Sequence, residues 1–278
     1  MNVAVNSWSL EKELGALRMM EWSDVVADRV MHEEEQPEAM TLTELCARLG
    51  QSGYRGLELT YAQIKDMSDD AMLDLRGAAK VSNVELSSLL LDYGDLSSDD
   101  EVRRQADLKW YKEWIDAASK AGFTRVRVPG GDSAPDDAAA LSRAADGLSE
   151  LAAYSERYGV LVVTENLGEL LSTSANCQQL LEQCKGRVGF TADFGNFRTD
   201  KYKQLAEVLP YAETVHAKAE TDSAGALDEA DFKRCIALCV EAGFSGSYAL
   251  TYLGQGDAWE RLTQMRSLAE EALAATQA

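Results

Sequence analysis

Residues 158–168, YGVLVVTENLG, and residues 188–197, VGFTADFGNF, are two apolar runs of strand length, and each stops on a carboxylate, Glu165 and then Asp193. A third run, ETVHAKAE at 213–220, stops in the same way on His216, one of only two histidines in the chain. An ordinary core strand has no reason to end repeatedly on a residue type that binds metals, so the trio marks a candidate site.

Working outward, the same pattern of a short apolar run followed by a helical segment recurs along the chain. Strands are expected at 2–7, 53–60 (GYRGLELT), 83–90 (NVELSSLL), 121–131 (AGFTRVRVPGG) and 245–251 (SGSYALT), making eight with the three above. Helices are expected from Thr41 to about Gly50, over 69–80, from Ser98 to Lys120, from Ser133 to Arg157, through 175–184, and from Thr199, Asp228 and Asp257. Thr41 and Glu44 have capping-box spacing. Gly53, Gly122, Gly159 and Gly243 stand where a helix must reverse into a strand, a place that favours a left-handed residue. Eight βα units predict an α/β fold of the (β/α)8 TIM-barrel class, with 1–278 as one domain. A doubly wound open sheet would want a glycine-rich phosphate loop after strand one, and NSWSLEKELG at 6–15 is not one.

The balance of 47 acidic against 27 basic residues gives a net charge of −20, which argues against nucleic acid and anionic membranes as partners. The acidity reads as solubility and self-repulsion, with a basic protein partner as the alternative, and the partner expected from the site is a small-molecule substrate. No signal peptide and no run of the roughly 18–20 apolar residues needed to span a bilayer are read, so a cytoplasmic location is expected. The five cysteines form no CxxC pair and read as buried thiols.

In an eight-fold barrel the chemistry lies at the C-terminal ends of the strands. Glu165, Asp193, His216 and Thr251 end four consecutive strands, and two carboxylates with an imidazole suit a divalent ion such as Mn, Mg, Co or Zn. The simpler alternative is that the two carboxylates only cap the helices that follow, with no metal bound. Lys218 shares a face with His216 and is a candidate acid or oxyanion ligand. Period-two alternation turns Arg125 and Arg127 into the barrel with Glu58 and Glu85. A Glu58/Glu85/Arg125 charge cluster is therefore expected inside, with Arg127 higher up, where it meets ligand. Trp8, Tyr252 and Phe197 lie just past strand ends, where they either stack on a ring or pack. The 11–40 segment follows strand one and carries Met19, Met20 and Trp22, so it is read as a lid or as a docked surface helix; His32 within it reads as solvated. The 98–120 helix, with two tryptophans, is a candidate homo-oligomer interface.

The order of GLEL (56–59), VTENLG (163–168), ADFGN (192–196), VHAK (215–218) and GSYALTYLG (246–254) resembles the xylose-isomerase-like superfamily of sugar isomerases and epimerases, which also holds dehydratases and endonucleases. The resemblance implies a metal-dependent enzyme with Glu165, Asp193 and His216 as ligands. Asn196 and Lys218 match the family's polar and basic positions beside the ligands; Glu165 and Lys218 are the candidate proton-moving groups, and Arg127, Asn196, Thr251, Tyr252 and Trp8 the candidate substrate-binding residues. The chain departs from the pattern at Thr251, where the family usually places a glutamate that is both ligand and base, and at Leu167, where many relatives carry histidine. A threonine hydroxyl is neither a good ligand nor a base at neutral pH. The sequence therefore leaves open an isomerase or epimerase, a single-base lyase or dehydratase, and a non-catalytic barrel that binds a ligand or partner. The lack of further histidines and of a basic groove argues against an endonuclease.

Overall fold

The computed structural model describes residues 2–276. In chain order the strands and helices are β1 (Asn2–Asn6), β2 (Leu17–Ser23), β3 (Asp28–Glu34), α1 (Leu42–Gln51), β4 (Gly56–Thr60), α2 (Asp69–Val81), β5 (Glu85–Leu90), α3 (Glu101–Ala121), β6 (Arg125–Arg127), α4 (Ala138–Ser155), β7 (Leu161–Glu165), α5 (Ser174–Gln183), β8 (Gly189–Asp193), α6 (Lys201–Val208), β9 (Ala212–Lys218), α7 (Glu229–Glu241), β10 (Ser247–Thr251) and α8 (Ala258–Thr276). Eight parallel strands close in the order β1-β10-β9-β8-β7-β6-β5-β4, and β1 completes the ring by pairing with both β10 and β4. The architecture is a (β/α)8 TIM barrel, as the eight-fold alternation predicts.

Local chemistry sets the boundaries. Thr41 and Glu44 form the full capping box at the start of α1. Asp100 caps α3 and Asp228 caps α7, each by accepting a backbone N–H bond in the first turn. The four glycines singled out as helix stops all adopt positive φ. The expected helix at 133–157 begins later, at Ala138, because Asp137 accepts from the amides of Ala139 and Ala140 and fixes the cap there.

Between β1 and α1 the chain forms an antiparallel hairpin, β2 on β3, rather than a helix. Trp22 opposes Arg29 and Met20 opposes Met31. Ala27 takes the positive-φ place that glycine or asparagine usually marks, so no hairpin signal is visible in the sequence. Met19, Met20 and Trp22 pack against the core, and the Tyr61 hydroxyl receives the Met20 N–H at 3.1 Å.

One further expectation changes. Trp110 and Trp114 of α3 turn inward and meet Tyr61 edge-on at ring separations of 5.2 and 5.9 Å, so these tryptophans present no outer interface. The cysteines are buried free thiols, as read. Among the described residues no helix is long and apolar enough to cross a membrane.

Candidate metal centre

β7, β8 and β9 are hydrogen-bonded neighbours, with Glu165 opposite Thr191 and Asp193 opposite His216, so their last inward side chains converge at the C-terminal mouth. One donor atom each from Glu165, Asp193 and His216 lies within 4.8 Å of the others, and all three residues are buried. His216 Nδ1 faces Glu165 Oε1 at 3.2 Å and Asp193 Oδ2 at 3.7 Å. Its other nitrogen, Nε2, is 2.7 Å from Glu58 Oε2 on β4.

This arrangement meets the chemistry of a metal centre. A histidine ligand ordinarily hands its second N–H to a carboxylate, which fixes the ring and aims the remaining nitrogen at the ion. Glu58 is that carboxylate, fully buried and held on its other oxygen by the Ser88 hydroxyl at 3.1 Å. Nδ1 is then the nitrogen directed toward Glu165 and Asp193, and Glu165 Oε2 is a buried oxygen that accepts no hydrogen bond, with Arg127 Nε as an ion-pair neighbour at 3.1 Å. The residues therefore fit a divalent cation held by Glu165, Asp193 and His216.

The expected Glu58/Glu85/Arg125 cluster does not form. Glu85 opens β5 at the exposed lower rim, level with Gly56, and the β4–β5 register shifts at Glu58. Arg125 stays half-buried, with its guanidinium on the Thr124 hydroxyl at 3.2 Å. Glu58 is left to pair upward with His216.

The charges around the trio are coupled. Burial works against ionisation of Glu165, but His216 and Arg127 outweigh it and hold the carboxyl below the usual carboxylate range. Burial likewise disfavours the charged imidazole, yet Glu165 and Glu58 push His216 well above the ordinary histidine value. Arg127 points into the barrel as expected, but it is spoken for: Nε lies 3.1 Å from Glu165 Oε2, and the other guanidinium nitrogens bond Asp92 and the Leu91 carbonyl. Asp92 in turn accepts from Thr60 Oγ1 at 2.9 Å and from the Trp8 indole at 3.0 Å. Despite burial, Arg127 holds the Asp92 carboxyl below its usual range. The sequence reading passed over Asp92. The signal was present, since Asp92 also ends an apolar run, LSSLLLD at 86–92.

The other candidates fall in four places. Asn196 donates to Glu165 Oε1 at 3.0 Å, and Asn166 exchanges two hydrogen bonds with the Asp193 backbone, so both amides brace the carboxylates of the trio. With Lys218 they line a cavity of about 630 Å³ over β7–β9, opposite Asp132 and Arg198. Gly195 makes room there, because a Cβ at that position would come 3.0 Å from Lys218 Cδ. Thr251 is buried, in register with Lys218, and its hydroxyl donates to the Ala249 carbonyl at 3.2 Å. Trp8 and Tyr252 instead line a separate cavity of about 370 Å³ between the ends of β1 and β10. The Tyr252 hydroxyl is engaged by the Gly225 and Gln255 carbonyls, and Phe197 is buried in the core.

A family model described as "Xylose isomerase-like TIM barrel" matches residues 46–272. The chain belongs to the xylose isomerase-like TIM-barrel family. Among solved structures this family member is similar to the IOLI protein with a bound zinc atom, at TM-score 0.73 and 14% identity, covering 99% of each chain. It is similar to D-psicose 3-epimerase crystallised with D-fructose, at TM-score 0.67 and 15% identity over 100% of this chain and 98% of the other. A third similar structure is a xylose isomerase-like TIM-barrel protein from Mycobacterium smegmatis in complex with magnesium, at TM-score 0.67 and 18% identity, covering 98% and 97%. A search of curated proteins found no match.

Proposed function

We propose that the protein is a metal-dependent isomerase or epimerase of a sugar or related polyol, acting by proton abstraction next to a carbonyl. The observation that carries this reading is the convergence of Glu165, Asp193 and His216, with Glu58 orienting the histidine, beside a polar cavity of about 630 Å³. The similarity to structures described as D-psicose 3-epimerase and L-ribulose 3-epimerase supports the substrate class. A divalent ion in this trio supplies Lewis-acid polarisation of a substrate carbonyl or hydroxyl.

The chain's own residues supply the rest. Glu165, kept ionised by His216 and Arg127, is the carboxylate available to take a proton, and Asn196 fixes its orientation. Lys218 reaches the cavity from the end of β9 and is the proton donor or oxyanion partner on that side. Asn196 and Arg198 offer hydrogen bonds to substrate hydroxyls. Thr251, bonded to its own strand, leaves no carboxylate on β10, so the opposite face of the substrate lacks a second base there. That one feature favours a second reading, a lyase or dehydratase step that needs a single base.

The test is solvent-proton exchange. Purified protein supplemented with manganese is incubated in D2O with D-fructose, D-psicose or L-ribulose, and the sugars are followed by proton NMR. Loss of the proton next to the carbonyl, with formation of the epimer and dependence on Glu165, is expected. Release of a dehydrated product supports the lyase reading, and no exchange with any ketose contradicts both.

A further inference from the structure

The cavity over the metal trio abuts a second one of about 330 Å³ along Asp132, Leu167 and Gly168, which line both. The second cavity lies beneath the β2–β3 hairpin. Met20 and Trp22 cover it, Asp92 and Tyr93 reach it from the loop after β5, and Arg103 of α3 walls it. It is one layer of side chains from the metal trio, since Asp92 binds Arg127 and Arg127 contacts Glu165.

Each cavity is large enough for a small organic ring on its own, by the roughly 300–1,000 Å³ typical of ligand pockets. Their linings differ. The first is polar and is lined by Lys218 and by Asn196, whose amide bonds Glu165 of the metal trio. The second offers the apolar surface of Met20 and Trp22 beside hydrogen-bonding groups. The Arg103 guanidinium sits 6.0 Å from the Trp22 ring centroid, and its contacts to Asp95 and Asp107 are both long, at 3.8 Å. Arg103 thus lines the cavity with a guanidinium that these long contacts leave unsaturated, and Asp132 supplies a carboxylate at its edge. An indole face for C–H groups with donors and acceptors around it is the chemistry that holds a hydroxylated ring.

We propose that the space under the hairpin is a second sugar subsite, and that the substrate is a glycosylated ketose carrying a second ring rather than a free monosaccharide. This rests on the sugar reading above and extends it. The ketose end lies over Glu165, Asp193 and His216, and the attached ring lies in the second cavity against Trp22, within reach of the Arg103 guanidinium. The hairpin is then a specificity element that covers one half of the substrate.

The test is calorimetric binding to the full-length protein, with D-fructose, lactulose (fructose glycosylated at O4) and isomaltulose (fructose glycosylated at O6) as probes. At least one disaccharide is expected to bind tenfold or more tightly than D-fructose. Trp22→Ala is expected to bring that preference below threefold, and Arg103→Gln to do the same with a melting temperature that shows the fold intact. D-fructose binding at least as tight as both disaccharides, or a preference that survives in Trp22→Ala, overturns the subsite and leaves the sugar reading standing. No binding of any of the three overturns both.

Discussion

At the scale of single residues the site turns on which partner each charged group finds. Glu58 was legible as an inward-facing carboxylate, but its partner was not. Alternation tells which side of a strand a residue faces, whereas the partner depends on the height at which the side chain meets its neighbours across the barrel. Glu58→Gln is expected to weaken divalent-metal affinity 10- to 100-fold while the protein stays folded, because the amide no longer anchors the imidazole as a carboxylate does; metal titration with circular dichroism checks this. Thr251→Glu tests the opposite change. If β10 faces the ion, adding the carboxylate should tighten metal binding by about tenfold, worth roughly 1.4 kcal/mol, and unchanged affinity would place position 251 outside the centre. The proton on His216 competes with metal for Nδ1. Glu165 and Glu58 raise the metal-free imidazole above its usual value of about 6.5, so the proton is retained to higher pH than in an ordinary histidine. Apparent metal affinity should therefore fall as pH is lowered and rise through the region above about 6.5, with proton release on binding measured by calorimetry in buffers of different ionisation enthalpy.

At the scale of elements, the strands and most helices were readable because each carries its own start or stop. Thr41 with Glu44, Asp228 before α7 and the four left-handed glycines are local signals that need no tertiary context. Thr41→Ala removes one side of the capping box and should cost about 1 kcal/mol of stability by urea denaturation, without affecting metal binding. The hairpin was unreadable for the complementary reason. Its turn reverses at Ala27 instead of at glycine, and its strands draw stability from packing Met19, Met20 and Trp22 on the core and from the Tyr61 bond, all of which are tertiary. Tertiary contact likewise decided the fate of the α3 tryptophans, which the sequence could place on a helix but not on its inner face.

At the scale of the whole molecule, barrel closure is what makes three distant segments into one centre. Glu165, Asp193 and His216 are separated by 28 and 23 positions in sequence, yet adjacent parallel strands bring their ends to one rim. The same closure brings Glu58 from β4, across the barrel, onto the back of the histidine. Without an ion, the buried carboxylates Glu58, Glu165 and Asp193 and the half-buried Asp92 face the cations His216 and Arg127, which leaves an excess of negative charge within this cluster for a cation to neutralise. The most direct measurement is metal content. Protein purified without chelator, then saturated with manganese, zinc or cobalt and desalted, is compared by elemental analysis with Glu165→Gln and His216→Ala. About one ion per chain in the parent, lost in both variants, is the expected result; no retained ion in the parent, or equal retention in all three, would contradict the account.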